Sequence, residues 1–305
     1  MMETKTSRRH LDMLATSLGG DIEYLLKDQD VIEIMLNPDG KLWAESYNKG
    51  KYFTGVYFEA KQAANIIKLI AAYHQEIADY EHPEVACELP ESKSRFQGWL
   101  PPVVTAPSFT IRKRAVRIFT LDDYINMGSI TREQAHKLCA AIKERRNILV
   151  AGGTGSGKTT FVNALLNELK DCPDRVVVLE DLPELQINAA DHVKLMTTSS
   201  ISMRDLVKGV LRMRPDRIVI GEVRDGGAAL ELLKAWNTGH PGGICTVHAN
   251  SAEATVSRLE DLVHEVVHVV PASLIKEAID IVVFMQRDHM GKHKVAKIID
   301  NSIKN

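Results

Sequence analysis

Residues 152–159 read G-G-T-G-S-G-K-T and match the pattern G-x-x-x-x-G-K-[ST] without a substitution. An apolar run at 148–151 precedes this stretch and suits a buried strand, and residues 160–169 after it have helical spacing. Glycines let the backbone turn tightly enough to direct several N–H groups at one polyphosphate, and a helix N-terminus adds partial positive charge. The stretch therefore predicts a site for a nucleoside triphosphate.

Two side chains of this stretch have chemical roles of their own. Lys158 is expected to reach the terminal phosphates, and the Thr159 hydroxyl is expected to ligand Mg²⁺. A glycine-rich turn that binds nothing would not need this Lys-Thr pair. The predicted nucleotide contacts are Gly153, Thr154, Gly155, Ser156, Gly157, Lys158, Thr159 and Thr160.

Carboxylates follow two later apolar strands. Glu222 comes after the strand 218–221 and could orient a water molecule against the γ-phosphate, although a helix-capping or ion-paired role is the alternative. The acid that usually serves the Mg²⁺ shell would stand one position earlier, where this sequence has Gly221. The predicted metal ligands besides Thr159 are Glu180, Asp181 and Glu184 at the end of the other strand; their alternative role is negative charge at the next helix N-terminus.

A histidine and several arginines complete the candidate set. His248 ends a strand that points to the same edge, beside Asn250, which favours a γ-phosphate sensor over a purely structural histidine. Arg112 begins the basic run Arg112-Lys113-Arg114, with Arg117 after it and Arg95 upstream. Such a run is a solvated face, a nucleic-acid patch or, in a multimeric ATPase, a source of positive charge for the phosphates. Composition alone does not choose between these three.

The pattern of elements predicts two domains. Residues 1–115 combine strands with helices, among them a helix at 59–80 with Ile77 on its apolar face, which indicates a smaller α+β domain. Residues 116–130 contain no long periodic element and are interpreted as a linker. From 131 to 305 strands and helices alternate, which predicts an α/β domain with a parallel, doubly wound sheet and the nucleotide at its carboxyl edge.

The composition is that of a globular protein, with 45% hydrophobic and 26% charged residues among 305 and a net charge of −2. This balance argues against a protein that coats DNA, so direct nucleic-acid binding is not expected. The four cysteines form no C-x-x-C pair, and neither a zinc site nor a disulfide frame is predicted. With no apolar run long enough to span a bilayer and no leader sequence, a cytoplasmic location is expected.

The motifs, taken in order, resemble those of the traffic (secretion) ATPases. The matching segments are 152–159 as Walker A, 180–184 as Asp box, 221–225 as Walker B and 246–251 as His box. Residues 214–217 and 235–243 are most similar to conjugal-transfer ATPases of the type IV secretion branch. Arg95 with Leu100-Pro101-Pro102, and residues 109–113, resemble the N-terminal signature of the family. The resemblance extends over roughly residues 20–290.

The resemblance implies a homohexameric ring in which an N-terminal domain packs over a RecA-like P-loop ATPase domain, with the nucleotide between them. It implies that Arg95 and Arg112 contribute to the phosphate site, and that ATP and Mg²⁺ are bound. Hydrolysis would then drive domain motion that powers pilus assembly and conjugative DNA transfer. The implied partners are inner-membrane and cytoplasmic components of a type IV secretion apparatus, with peripheral association at the inner membrane as a further implication.

Three other classes of protein fit these motifs less well. Type II secretion and pilus assembly motors usually carry a four-cysteine zinc module, and retraction motors usually have Thr-Asn-Ser where this chain has Ala249-Asn250-Ser251. A GTPase should show Asn-Lys-x-Asp after the P-loop, and a small-molecule kinase should show an arginine-rich lid. A nucleic-acid-binding module without catalysis would need neither Lys158 nor Glu222. The secretion ATPase is therefore the favoured hypothesis.

Overall fold

A computed structural model describes residues 5–47, 49–113, 118–269, 272–288 and 291–301, without the side chains of residues 5–10 and 272. The chain divides between residues 117 and 118 into two compact units, and each unit has its own sheet.

The first unit is an antiparallel sheet with helices. Its elements are α1 (Lys5–Lys27), β1 (Val31–Leu36), β2 (Lys41–Ser46), β3 (Gly50–Tyr57), α2 (Ala60–Tyr73), β4 (Glu84–Glu88), β5 (Arg95–Trp99) and β6 (Ser108–Arg112). The strands lie in the order β3-β2-β1-β6-β5-β4, and neighbouring strands are antiparallel. Ile22 of α1, Ile34 of β1 and Ile66 of α2 are fully buried in one apolar core. The predicted α+β class of this part is confirmed.

Helix α2 is shorter than the sequence predicts. It ends at Tyr73, and Gln75 adopts a φ of 62°, a left-handed backbone conformation that stops a helix. Ile77 therefore lies outside the helix, and its side chain is 68% exposed. The prediction that α2 continues to residue 80 with Ile77 on its apolar face is wrong.

The second unit begins with two short helices and continues as alternating strands and helices. Its elements are α3 (Leu121–Asn126), α4 (Arg132–Lys143), β7 (Ile148–Gly152), α5 (Lys158–Asn167), β8 (Val176–Glu180), β9 (His192–Met196), α6 (Met203–Val210), β10 (Arg217–Ile220), α7 (Gly226–Asn237), β11 (Ile244–His248), α8 (Ala254–His264), α9 (Ala272–Ala278), β12 (Ile281–Arg287) and β13 (His293–Asp300).

The sheet of the second unit has the strand order β13-β12-β7-β11-β10-β8-β9. Its neighbouring strands are parallel except for β12 and β13, which form an antiparallel edge hairpin. The predicted parallel sheet is confirmed. Strand β9 was not predicted, because its residues alternate between exposed and half-buried and show no apolar run. Strands β7, β8 and β10 are buried throughout and β11 up to its last residue, so the groups at their carboxyl ends share one edge.

The segment interpreted as a linker, 116–130, contains helix α3 within its described part. Thr120 and Asp123 form a capping box at the start of α3. Tyr124 is buried, and its ring centroid lies 5.1 Å from that of Phe161 in α5. A helix of six residues is shorter than two turns, so its apolar positions leave no periodic signal in the sequence.

Candidate nucleotide site

The glycine-rich loop connects the end of β7 to the start of α5. Gly155 and Gly157 have φ angles of 68° and 87°, a left-handed region that glycine enters at little cost. At Gly152 a Cβ would lie 2.3 Å from the Met285 carbonyl oxygen, so a larger residue does not fit between β7 and β12. Residues 153–155 are exposed, whereas Ser156 is buried. The loop therefore presents its backbone to solvent directly in front of a helix N-terminus, as a polyphosphate site requires.

Lys158 lies back across this loop. Its side chain is 8% exposed, and Nζ donates hydrogen bonds of 2.9 Å to the carbonyl oxygens of Gly152 and Gly153. Both acceptors are neutral, so an anionic phosphate oxygen would make a stronger charge-assisted bond with the same ammonium group. Thr159 and Thr160 follow in the first turn of α5 and are half-buried.

Glu222 lies between two basic side chains. Its Oε2 accepts from Arg224, with both Nε and Nη2 at 2.6 Å, and its Oε1 lies 2.8 Å from His248 Nε2. The Glu222 side chain is 15% exposed, compared with 46% for His248. Glu222 follows β10 and His248 ends β11, so two neighbouring parallel strands bring the predicted base and the predicted sensor into direct contact.

The environment of His248 favours its neutral form. Burial and the positive charge of Lys158 lower the pKa of His248 from its ordinary value of about 6.5, and these effects outweigh the opposite influence of Glu222. Arg224 and Arg258 also lower the pKa of His248. Positive charges therefore converge on this edge of the sheet, which is the electrostatic environment that a triphosphate needs.

A cavity of about 440 Å³ adjoins the loop on the β11 side. Its lining residues are Gly153, His248, Ala249, Asn250, Ala254, Ser257, Arg258 and Asp261. The cavity thus joins the exposed part of the glycine-rich loop to the end of β11 and the face of α8. Asn250, which the sequence placed beside His248, lines the same space.

The predicted metal ligands differ in their accessibility. Glu180 is 1% exposed; its Oε1 accepts from the backbone N–H groups of Glu184 and Leu185, and its Oε2 lies 3.1 Å from Lys194 Nζ. Asp181 is half-buried and accepts a 3.1 Å hydrogen bond from the Thr197 hydroxyl. Glu180 is thus engaged inside the protein, whereas Asp181 and Glu184 are partly open to solvent.

The donor set limits how a cation could be held. Among the residues that the structure describes, no group of three or more His, Cys, Asp and Glu side chains could hold a metal ion. Mg²⁺ usually keeps several waters and takes one or two protein oxygens together with substrate phosphates. Thr159 and Asp181 have the hard oxygen atoms that such a shared shell requires.

Arg95 and Arg112 belong to the first unit. They are direct partners across β5 and β6, and Glu33 of β1 is in turn the partner of Arg112. Arg112 Nε lies 3.9 Å from Glu33 Oε1, and the Arg112 side chain is 40% exposed. Arg114 and Arg117 lie outside the described residues. The sheet thus places the two predicted arginines side by side.

Sequence reasoning missed three arginines near the loop. Arg224 holds Glu222, Arg258 lines the cavity, and Arg287 Nε donates a 2.6 Å hydrogen bond to the Gly155 carbonyl oxygen. The position of Arg224, two residues after Glu222, was a local signal that could have found it. The contact between Arg287 and Gly155 joins residues 132 positions apart, so no local pattern predicts it.

A nucleotide loop on a parallel sheet, with an acid and a histidine paired at the ends of the two neighbouring strands, defines a P-loop ATPase of RecA-like fold. Comparison with known proteins identifies the family within this class. Residues 59–294 match the family described as Type II/IV secretion system protein. The chain belongs to this family, in its type IV secretion branch, and is an ATP hydrolase.

Individual relatives agree with this placement. Conjugal transfer protein TrbB of Rhizobium radiobacter is 44% identical over 98% of this chain and 92% of its own length. Type IV secretion system protein VirB11 of Bartonella henselae is 31% identical over 80% of this chain and 79% of its own length. The crystal structure of the VirB11 ATPase from the Brucella suis type IV secretion system, in complex with sulphate, has a TM-score of 0.50 at 25% identity, covering 98% of this chain and 97% of that one. The family resemblance read from the motifs is confirmed.

Within the ranges that the structure describes, no helix is both long and apolar enough to cross a membrane.

Proposed function

We propose that this chain hydrolyses ATP to power conjugative DNA transfer and the pilus assembly that accompanies it. The observation that supports this most directly is the contact of Glu222 with His248 and Arg224 at the sheet edge where the glycine-rich loop begins. The likeness to conjugal transfer protein TrbB supports the choice of process.

Each group at the edge has a proposed part in the reaction. The backbone N–H groups of 153–160 and the ammonium group of Lys158 bind the phosphates. Glu222 accepts a hydrogen bond from the attacking water and draws it toward the γ-phosphate. His248 senses the γ-phosphate, because it touches Glu222 and lines the adjoining cavity. Binding of a triphosphate would therefore act on His248, the residue that contacts the proposed base Glu222.

Mg²⁺ is the proposed cofactor. Thr159 would be its direct protein ligand, and Asp181 and Glu184 would reach it through water; when bound, the ion neutralises charge on the phosphate oxygens. Glu180 is retained in the proposal only as a support for this segment, since its Oε1 accepts the N–H groups of Glu184 and Leu185.

Arg95 and Arg112 are proposed to add positive charge to the phosphates. Their adjacent positions on β5 and β6 support a joint role. The proposed assembly is a homohexameric ring at the cytoplasmic face of the inner membrane, with components of a type IV secretion apparatus as partners. The residue limits 1–115, 116–130 and 131–305 remain the proposed domain organisation.

The ring is tested by measuring ATPase rate against protein concentration, with molar mass read by light scattering in the same samples, with and without ATP and Mg²⁺. We expect the rate per chain to rise as the mass increases from 33.9 kDa, that of one chain, to that of six. Chelation of Mg²⁺ should stop turnover at every concentration. A monomer with full ATPase activity would contradict the ring.

The lowered pKa of His248 leads to a prediction on pH. Because the pKa lies below about 6.5, His248 is neutral at pH 7 and gains its proton only as the pH falls further. A protonated His248 would hold Glu222 with a full positive charge and weaken it as a proton acceptor. We therefore expect kcat to decline below about pH 6.5, and this decline to be reduced in His248→Gln, which keeps an amide donor without titrating. Profiles of kcat from pH 5 to 9 with identical acid limbs would refute this role.

A further inference from the structure

The strand that carries the glycine-rich loop has different neighbours on its two sides. On one side of β7 lies β11, whose end carries His248, and beyond it β10, which leads to Glu222. On the other side lies β12, which ends at Arg287 and pairs with β13, where His293 is the partner of Arg287. The groups proposed to act on the γ-phosphate therefore lie on the β11 side of the loop, and Arg287 and His293 lie on the opposite side.

Arg287 and His293 of the β12–β13 hairpin both lie against the glycine-rich loop. Arg287 is exposed, and its Nε donates a 2.6 Å hydrogen bond to the Gly155 carbonyl oxygen. A Cβ on Gly155 would lie 3.3 Å from Arg287 Nη2 and 3.7 Å from its Cζ, so the guanidinium group covers one side of this glycine. His293 is half-buried, and its Nδ1 would lie 2.9 Å from a Cβ on Gly157. The hairpin thus forms a wall along the loop.

The direction of a bound triphosphate follows from these positions. If the terminal phosphate faces Glu222 and His248, the chain of phosphates runs along the loop away from β11. The nucleoside end must then leave the loop toward β12 and β13. A guanidinium plane at this point can stack on a nucleobase and donate to ribose oxygens, which a lysine cannot do as well.

We propose that Arg287, with His293 beside it, binds the nucleoside half of the nucleotide, with the guanidinium group of Arg287 against the purine base. This inference rests on the proposed ATP site and adds to it the residue that recognises the nucleoside. Arg287 has a binding role here and takes no part in the chemistry at the γ-phosphate.

The test compares two ligands on the full chain by isothermal titration calorimetry. The ligands are a non-hydrolysable ATP analogue, which stands for ATP here because the chain hydrolyses ATP itself, and inorganic tripolyphosphate, each with Mg²⁺. The variants are Arg287→Ala and Arg287→Lys. The matched control is Arg212→Ala, an exposed arginine after α6. Thermal unfolding of each variant establishes that it is folded.

We expect Arg287→Ala to weaken ATP binding about tenfold, the effect typical of a stacking contact on a base. Tripolyphosphate has no base, so its affinity for the Arg287→Ala chain should be weakened by less than about threefold. Arg287→Lys should weaken ATP nearly as much as alanine does, because it keeps the charge and loses the planar group. Arg212→Ala should bind both ligands as the wild-type chain does.

Either of two other results would overturn the inference. If Arg287→Ala weakened both ligands equally and lysine restored both, Arg287 would only position the loop through the Gly155 carbonyl. Unchanged ATP affinity in both Arg287 variants would also overturn it. A wild-type chain that bound neither ligand would instead refute the proposed ATP site itself, which is a different and recognisable failure.

Discussion

Lys158→Ala is expected to reduce ATP turnover to background, a loss of at least about 10²- to 10³-fold for one phosphate-binding charge. The ammonium group already lies over the loop, bound to the neutral Gly152 and Gly153 carbonyl oxygens, and an anionic phosphate oxygen in their place would make a stronger charge-assisted bond. Release of inorganic phosphate in the steady state measures the effect. In a donor strain that depends on this chain for conjugation, mating frequency should fall in parallel.

Lys170→Ala is the matched control for this variant. Lys170 is exposed beyond the end of α5, at the opposite end of that helix from the loop. The Lys170→Ala chain should therefore turn over ATP as the wild-type chain does. A Lys158→Ala chain that kept more than about a tenth of wild-type turnover would show that this lysine is not the main phosphate-binding charge.

The second large effect is expected for Glu222→Gln, which should bind ATP normally and hydrolyse it about 10²- to 10⁴-fold more slowly. Glutamine has nearly the same size; its amide oxygen can still accept from Arg224, and its NH2 group can donate to an unprotonated Nε2 of His248, so the surroundings of residue 222 should persist. What is lost is the carboxylate that orients and draws a proton from the attacking water. Single-turnover hydrolysis together with equilibrium binding of ATP separates the chemical step from affinity.

The control for this loss of charge is Glu260→Gln. Glu260 lies on helix α8, outside the glycine-rich loop and outside the residues that contact Glu222. Turnover of Glu222→Gln at the wild-type rate would contradict the assignment of the base. Weakened ATP binding with an unchanged rate at saturation would instead give Glu222 a role in binding.

The features predicted from the sequence were those with local causes. The loop between β7 and α5 and the capping box of Thr131 and Gln134 on α4 each follow from neighbouring residues, and the parallel sheet follows from the alternation of strands and helices along the chain. The contact of Glu222 with His248 could be anticipated because adjacent parallel strands end at one edge. The assigned roles of these residues remain predictions.

The parts that the sequence could not indicate depend on tertiary contacts. Nothing in the sequence around Glu180 shows that its carboxylate accepts from Glu184 and Leu185 and lies beside Lys194 of β9. The end of α2 at Tyr73 was missed because the apolar spacing continues past it while the backbone reverses at Gln75. The sequence held no sign of Arg287, since an exposed arginine resembles any surface charge until its contact with the Gly155 carbonyl oxygen is known.

The pairing of β12 with β7 has a consequence for biosynthesis. A chain is made from its N-terminus and its domains begin to fold as they emerge. The glycine-rich loop leaves the ribosome long before its partner Arg287, which follows Gly155 by 132 positions. Until residues 281–287 have emerged, β7 lacks one of its two neighbours in the sheet and Gly155 lacks its contact from the hairpin. A nascent chain therefore completes the surroundings of its nucleotide loop only after most of the second unit has been made.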